Sequence, residues 1–246
     1  MSATAEDRYA DFYARQLSSP TLAGIYQEVY GEDHPEELRP FGFVTRTDLA
    51  RFAELLDLRP GTFLVDLGCG RGGPGIALAR AAGAGLLGLD PLAVAVEGAR
   101  ELSVSLGFPE ARFAVGGFTA TGLEPGSCDA VLSVDALWMV WNKRAAFAEV
   151  ARVLRPGGRF VFSTWEPSYV DHAGLLAAAG FTVTAREEAQ RWLERQLLVY
   201  ELVRARATAL EGELGPGASV LLEEARDTPA ALPSTPRVIV AATKTG

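Results

Sequence analysis

Val65-Asp66-Leu67-Gly68-Cys69-Gly70-Arg71-Gly72-Gly73-Pro74-Gly75 decides the fold of this 246-residue chain. It follows the apolar run Thr62-Phe63-Leu64-Val65 and leads into Ile76-Ala77-Leu78-Ala79-Arg80, so it reads as a strand, a glycine turn and a helix start. Gly68, Gly70 and Gly73 satisfy G-x-G-x-x-G, a dinucleotide fingerprint that many chains match by chance. Asp66 discriminates between ligands. A pyrophosphate wants the bare N–H groups of a helix N-terminus, and a carboxylate at the strand tip would repel it. An amino-acid ligand with an ammonium and a sulfonium suits the acid, while the glycine turn and helix start receive its carboxylate.

Outward from this turn, apolar strands and helices alternate. Upstream, Tyr9, Phe12, Tyr13 and Leu17 have helical spacing, a second helix spans about Pro20 to Tyr30, and the proline- and acid-rich stretch from Gly31 to Pro40 reads as a solvated connection. Thr47 is the expected cap of a helix over Asp48 to Leu58. Downstream, strands are expected at Leu86–Asp90, Arg112–Val115, Ala130–Val134 and Arg159–Trp165, with helices over Leu92–Leu106 and Ala145–Leu154. Crossovers of this length predict a doubly wound α/β fold, a mostly parallel sheet with helices on both faces and ligands at the carboxyl ends of the strands. Past Trp165 come a short helix, a strand from Gly180 to Thr184, mainly helical residues up to a proline-rich loop, and a last strand from Arg237 to Ala242.

The Val-Asp-Leu-Gly-Cys-Gly-x-Gly turn resembles the first motif of the class I S-adenosylmethionine-dependent methyltransferases, and Leu154-Arg155-Pro156-Gly157-Gly158 is similar to the turn before their fifth strand. The resemblance covers about Asp48 to Trp165. It implies a seven-stranded sheet with an antiparallel edge strand, S-adenosylmethionine as cofactor and a small-molecule acceptor. It divides the chain into an N-terminal helical lid, 1–46, and a Rossmann-like domain, 47–246, with a helical insertion at about 188–230 laid over the active site. High alanine, glycine and arginine content together with this likeness suggests a secondary metabolite as acceptor.

For the cofactor the candidates are Asp66, Gly68, Cys69, Gly70 and Gly73, then Asp90 for the ribose hydroxyls and Pro91 against the adenine. Relatives often carry an acid after the third strand. This chain has Gly116-Gly117-Phe118-Thr119, so the adenine hydrogen bond falls to backbone, as at Gly117, or to Thr119, with Phe118 as a wall. Ser133 and the backbone after it should pass the sulfonium. Relatives also often carry a histidine near Trp138 or Met139, and here none is present. His172, His34 and Asp135 are the catalytic candidates, with Asp171 and Glu166 competing. Trp138, Trp141 and Trp165 lie at or past strand ends and suggest an aromatic acceptor site. Tyr9, Tyr13, Tyr26 and Tyr30 are positioned to close over the cofactor.

A net charge of −8 argues against a broad nucleic-acid surface, and no apolar run reaches the length of a membrane span. Cys69 and Cys128 have no metal-ligand spacing and read as free thiols of a cytoplasmic protein. No metal is expected, and the partner is a small-molecule substrate, with a homodimer as an allowed assembly. Two rival readings remain: a protein of this fold that has lost methyl transfer and acts as a cyclase, rearrangement catalyst or binding module, and a nicotinamide-dependent oxidoreductase.

Overall fold

A computed structural model describes residues 5–40 and 42–246, with side chains from Arg8 onward. Residues 1–4 of the expected lid segment and Phe41 lie outside the described residues. Helices α1 (Ala5–Arg15), α2 (Pro20–Tyr30) and α3 (Arg46–Leu56) precede the alternating part. There β1 (Phe63–Leu67), α4 (Gly73–Ala82), β2 (Gly85–Asp90), α5 (Ala93–Ser105), β3 (Arg112–Val115), β4 (Cys128–Val134), α6 (Lys143–Val153) and β5 (Leu154–Trp165) follow in turn. The chain continues through α7 (His172–Ala178), β6 (Phe181–Glu188), α8 (Trp192–Ala205), α9 (Ala207–Leu214), α10 (Ala218–Asp227) and β7 (Arg237–Lys244).

The seven strands order as β3-β2-β1-β4-β5-β7-β6. β1 to β5 pair in parallel, and β7 runs antiparallel to both its neighbours, slotted between β5 and the edge strand β6. Side chains alternate across the sheet with the period of two that strands impose. Leu64, Leu132 and Val161 join Phe12, Phe52 and Ile76 on one face, while Val65, Val131, Phe160 and Phe162 join Phe147 and Leu176 on the other. The first face is thus covered by α3, α4 and the leading helices, the second by α6 and α7. Among the described residues no helix is long and apolar enough to cross a membrane.

Three expectations about local structure change. Thr45, not Thr47, caps α3: its hydroxyl accepts from the Asp48 N–H at 3.0 Å and Asp48 Oδ2 accepts from the Thr45 N–H at 3.2 Å, a reciprocal capping box. A boundary at 46/47 would therefore cut the first turn of this helix. Nor are all the acids of the Gly31–Pro40 stretch solvated. Asp33 Oδ1 accepts from the Thr47 N–H and hydroxyl, both at 3.0 Å, and Asp33 Oδ2 from Arg195 Nη1 at 2.6 Å, which joins α3 to α8. At the other end of the sheet, the Leu154–Gly158 turn is absorbed into β5 as an irregularity of register, with Gly157 at φ +76°.

The deepest electrostatic tie is Arg237, 2% exposed at the start of β7. Its Nη1 donates to Asp48 Oδ2 at 2.9 Å, its Nε to Asp135 Oδ1 at 2.9 Å and its Nη2 to Asp135 Oδ2 at 3.0 Å. One guanidinium thus holds α3, the end of β4 and β7 together. Removing it strands two buried carboxylates. Arg237→Met is expected to lower the unfolding free energy by about 3–5 kcal/mol in urea titration, and a loss under about 1 kcal/mol would show that the triad does not hold these elements.

Candidate functional site

The carboxyl ends of β1, β2 and β4 surround a cavity of 530 Å³. Its floor is the glycine turn. Gly68 has φ +68°, and a Cβ there would lie 2.5 Å from the Ala136 Cβ and 3.2 Å from the Phe118 ring, so only glycine lets the turn pass between these walls. Gly75 allows a second close approach: a Cβ there would meet Asp66 Oδ2 at 2.5 Å. Asp66 is 1% exposed and accepts a hydrogen bond from the Gly75 N–H, while its Oδ1 has no partner. Burial, with the nearby Asp90 charge, pushes the Asp66 carboxyl up to about 7.

Asp90 is held differently. Its Oδ2 accepts from the Gly70 N–H and its Oδ1 from the Leu92 N–H, both at 2.9 Å, so the carboxylate is fixed in orientation yet keeps lone pairs toward the cavity. Burial raises its pKa, and the two N–H groups oppose that rise. Cys69 lines the cavity between these acids, and burial and their charges keep its thiol protonated.

Most donors of the expected seat for a ligand carboxylate are already engaged. Gly68 and Cys69 donate to the Leu89 carbonyl at 2.8 and 3.1 Å, Gly72 to Cys69 at 2.8 Å and Ile76 to Gly72 at 2.8 Å. Gly70 and Gly75 serve the two aspartates, and Pro74 has no N–H, so the turn spends these donors on its own shape. Arg39 supplies a cation on the cavity wall instead, from a left-handed position at φ 48°. No motif marks it in the sequence. Arg71, equally unforeseen, is 8% exposed, donates to Gln16 Oε1 at 2.6 Å and to the Tyr13 carbonyl, and stacks on the Tyr13 ring 4.7 Å away. It fastens α1 over the turn.

Gly70, Gly73, Pro91, Gly117, Phe118 and Trp138 line the cavity, as do Tyr9 and Tyr13. Ser133 does not. It is fully buried within β4, and the wall is formed by Val134, Asp135 and Ala136. Trp165 stands behind Trp138, edge to face at 6.5 Å, and Trp141 is fully exposed outside the cavity. Tyr26 and Tyr30 are likewise off the wall, gathered with His34, which stacks on Tyr26 at 5.2 Å.

None of the three catalytic candidates presents a free base to the cavity. Asp135 reaches the cavity, in a left-handed conformation at φ 53°, but both oxygens are engaged by Arg237 and Oδ1 also accepts from Ser163 Oγ at 2.7 Å. His34 stacks on Tyr26 and does not line the cavity. His172 lies on the opposite face of the sheet beside Phe147 and Phe162. Its Nδ1 bonds Glu166 Oε1 at 2.9 Å, which leaves Nε2 buried without a partner. Of the competing acids, Glu166 is shared with Arg186, and Asp171 Oδ1 accepts from the Gly174 N–H at 2.8 Å as the cap of α7.

The family described as "Methyltransferase domain" matches residues 65–162. The chain is 32% identical over 171 residues to an uncharacterized 37.1 kDa protein in transposon TN4556 of Streptomyces fradiae, covering 66% of this chain and 49% of that one. It is 33% identical over 122 residues to 24-methylenesterol C-methyltransferase 2 of Oryza sativa subsp. japonica, covering 49% and 34%. The chain thus spans half or less of the length of these curated relatives. Among solved structures, the cyclase SpnF shares the fold with a TM-score of 0.77 over 99% of this chain and 98% of that one, at 19% identity.

Three pH dependences follow, two from Asp66 and one from His172. An Asp66 carboxyl poised near 7 must ionise to hold an ammonium, so S-adenosylmethionine affinity measured by calorimetry should rise with pH up to about 7 and then level off. Asp66→Asn should weaken binding at least about 100-fold and erase that dependence. Without ligand, a raised carboxyl stabilises below its unfolded value near 3.8 and loses that contribution as pH rises through about 7, so Asp66→Asn should raise Tm at pH 8 and leave it unchanged near pH 4. His172 has the opposite sign. Burial is the main cause holding its pKa below 6.5, so stability falls as pH drops below that value, and His172→Gln should flatten the decline in Tm between about pH 7 and 5. Residues 65–162 match the methyltransferase-domain family, and the seven-stranded sheet in which they lie agrees with the resemblance of the glycine turn to the class I S-adenosylmethionine-dependent methyltransferases.

Proposed function

We propose that this protein transfers a methyl group from S-adenosylmethionine to a small molecule by in-line displacement. The observation that carries this reading is Asp66: a buried carboxylate with one unpartnered oxygen, beside a second fixed carboxylate, on the wall of a largely apolar cavity. Such a pair suits a ligand with a cationic head and a ribose. It does not suit a pyrophosphate.

Bound there, S-adenosylmethionine supplies an electrophilic methyl on a sulfonium. The chain's own residues do the rest. Asp66 holds the amino group, Arg39 meets the carboxylate, and Asp90 accepts from the ribose hydroxyls. Pro91, Leu92 and Phe118 would flank the adenine, and the backbone around Gly117 or the Thr119 hydroxyl would accept from its amino group; all five residues line the cavity. Val134 to Ala136 pass the reacting end, while Tyr9, Tyr13 and Trp138 keep water from it. Alignment and exclusion of water are the protein's main contributions to a displacement whose electrophile is already activated.

The acceptor reading is a small, mostly apolar molecule of secondary metabolism. The C-methyltransferase named among the relatives and the apolar walls near Val44, Met139 and Val140 support it. Incubation with methyl-labelled S-adenosylmethionine and a small-molecule extract of the source cells, read by mass spectrometry, should place the label on one metabolite. Tight binding of S-adenosylmethionine with no labelled product would instead favour a cyclase, a rearrangement catalyst or a binding module. Asp90→Ala should lower S-adenosylmethionine affinity about 10- to 100-fold in calorimetry, since it removes the ribose acceptor and frees the Gly70 N–H.

A further inference from the structure

The cavity does not end at Trp138. Tyr9 and Trp138 also wall an adjoining recess of 220 Å³, closed on its far side by α10 through Val220, Glu223, Glu224 and Asp227. Its three carboxylates are not equivalent. Glu223 is gripped by Arg8 Nη1 at 2.8 Å to both oxygens, and Asp227 accepts from Arg226 at 2.7 and 2.8 Å. Among the described residues Glu224 has no ion pair. Its Oε1 accepts from the Tyr200 hydroxyl at 2.6 Å.

That hydrogen bond ends a directed chain. An indole N–H can only donate, so Trp165 Nε1, 3.0 Å from Gln196 Oε1, fixes the orientation of the Gln196 amide. The amide Nε2 then donates to the Tyr200 oxygen at 2.9 Å, and Tyr200 has its single proton left for Glu224. Trp165 is itself wedged edge to face against Trp138 and Phe43, and Phe43 against Tyr200. Every link has one polarity: Tyr200 takes Glu224 Oε1, and Glu224 itself lines the recess. Burial raises the Glu224 pKa, and the Tyr200 hydrogen bond opposes that rise.

We propose that Glu224 is the general base of this protein, receiving the proton of a hydroxyl acceptor seated between Tyr9 and Trp138. The inference rests on the methyl-transfer reading and deepens it. In the step, the acceptor O–H proton passes to Glu224 Oε2 as the oxygen lone pair forms the bond to the methyl carbon. The methyl–sulfur bond breaks with its electron pair kept by sulfur, and Glu224 returns the proton to water through the recess. A hydroxyl suits this carboxylate better than a neutral amine, whose lone pair attacks before any proton is lost. The pairing of Asp135 with Arg237 and the placement of His172 across the sheet leave this role to α10.

The test uses the full chain with methyl-labelled S-adenosylmethionine and the same small-molecule extract. Glu224→Gln should slow labelling at least about 100-fold, abolish the rise of rate with pH on the acid side, and leave S-adenosylmethionine affinity within about twofold, with Glu224→Asp restoring part of the rate. Tyr200→Phe removes a hydrogen bond that favours the ionised carboxylate, so the acid limb should move to higher pH with the fold intact. The label should sit on an oxygen. A Glu224→Gln variant with the wild-type rate and acid limb, an unmoved limb in Tyr200→Phe, or a label on carbon would overturn the role of Glu224 while methyl transfer stands. Wild-type protein that labels nothing would overturn both.

Discussion

Two carboxylates share the interior behind the glycine turn, and the site takes its shape from how they are tolerated. Asp66 and Asp90 stand at the ends of adjacent parallel strands, close enough for one charge to raise the pKa of the other. Like charges in a poorly polarisable interior would drive the strand ends apart unless something opposite met them. Backbone amides do so here: Gly75 for Asp66, Gly70 and Leu92 for Asp90. The turn and the first turn of α4 are folded around these acids, which is why Gly75 has no room for a side chain. The compensation is incomplete at Asp66, whose second oxygen stays unpartnered. On the proposed reading, a cationic ligand completes the local charge balance.

The sheet was legible because each strand is a short apolar run bounded by turn residues, and the helix–strand period changes at each boundary. Asp66 and Asp90 were legible for a related reason, since their positions are registered to strand tips that the pattern locates. What the sequence could not show is long-range pairing of charged side chains. Asp135 looks like a base until Arg237, 102 positions later, is found to occupy it. Thr45 and Thr47 are equally good caps by residue type, and Asp33 settles the matter from a preceding loop. His172 follows a strand end on the ligand side, yet its helix turns it beneath the sheet among phenylalanines. No motif marks Arg39 or Glu224, so only the folded chain brings the one to the cavity and the other to its adjoining recess.

On the proposed reading, the catalytic face divides its labour by element. Strand ends, whose positions the sheet holds rigidly, carry the groups that grip the cofactor. Helices outside the alternating core, α1 and α10, carry the tyrosine and carboxylate groups nearest the acceptor. Cofactor recognition is built into the part of the chain with the most uniform geometry, while acceptor recognition sits in helices that can diverge without disturbing the sheet.

The place of β7 bears on how the protein is born. It is the last strand in the chain but not the last in the sheet, and the partners it joins, Asp48 and Asp135, are made 189 and 102 residues earlier. Until residue 237 has left the ribosome, β5 and β6 have no strand between them and both aspartates wait without their guanidinium. A nascent chain can assemble the glycine turn and its parallel neighbours, but closure of the sheet is deferred until β7 has emerged. During that interval the exposed edge of β5, rich in phenylalanine and valine, is the segment most in need of chaperone protection.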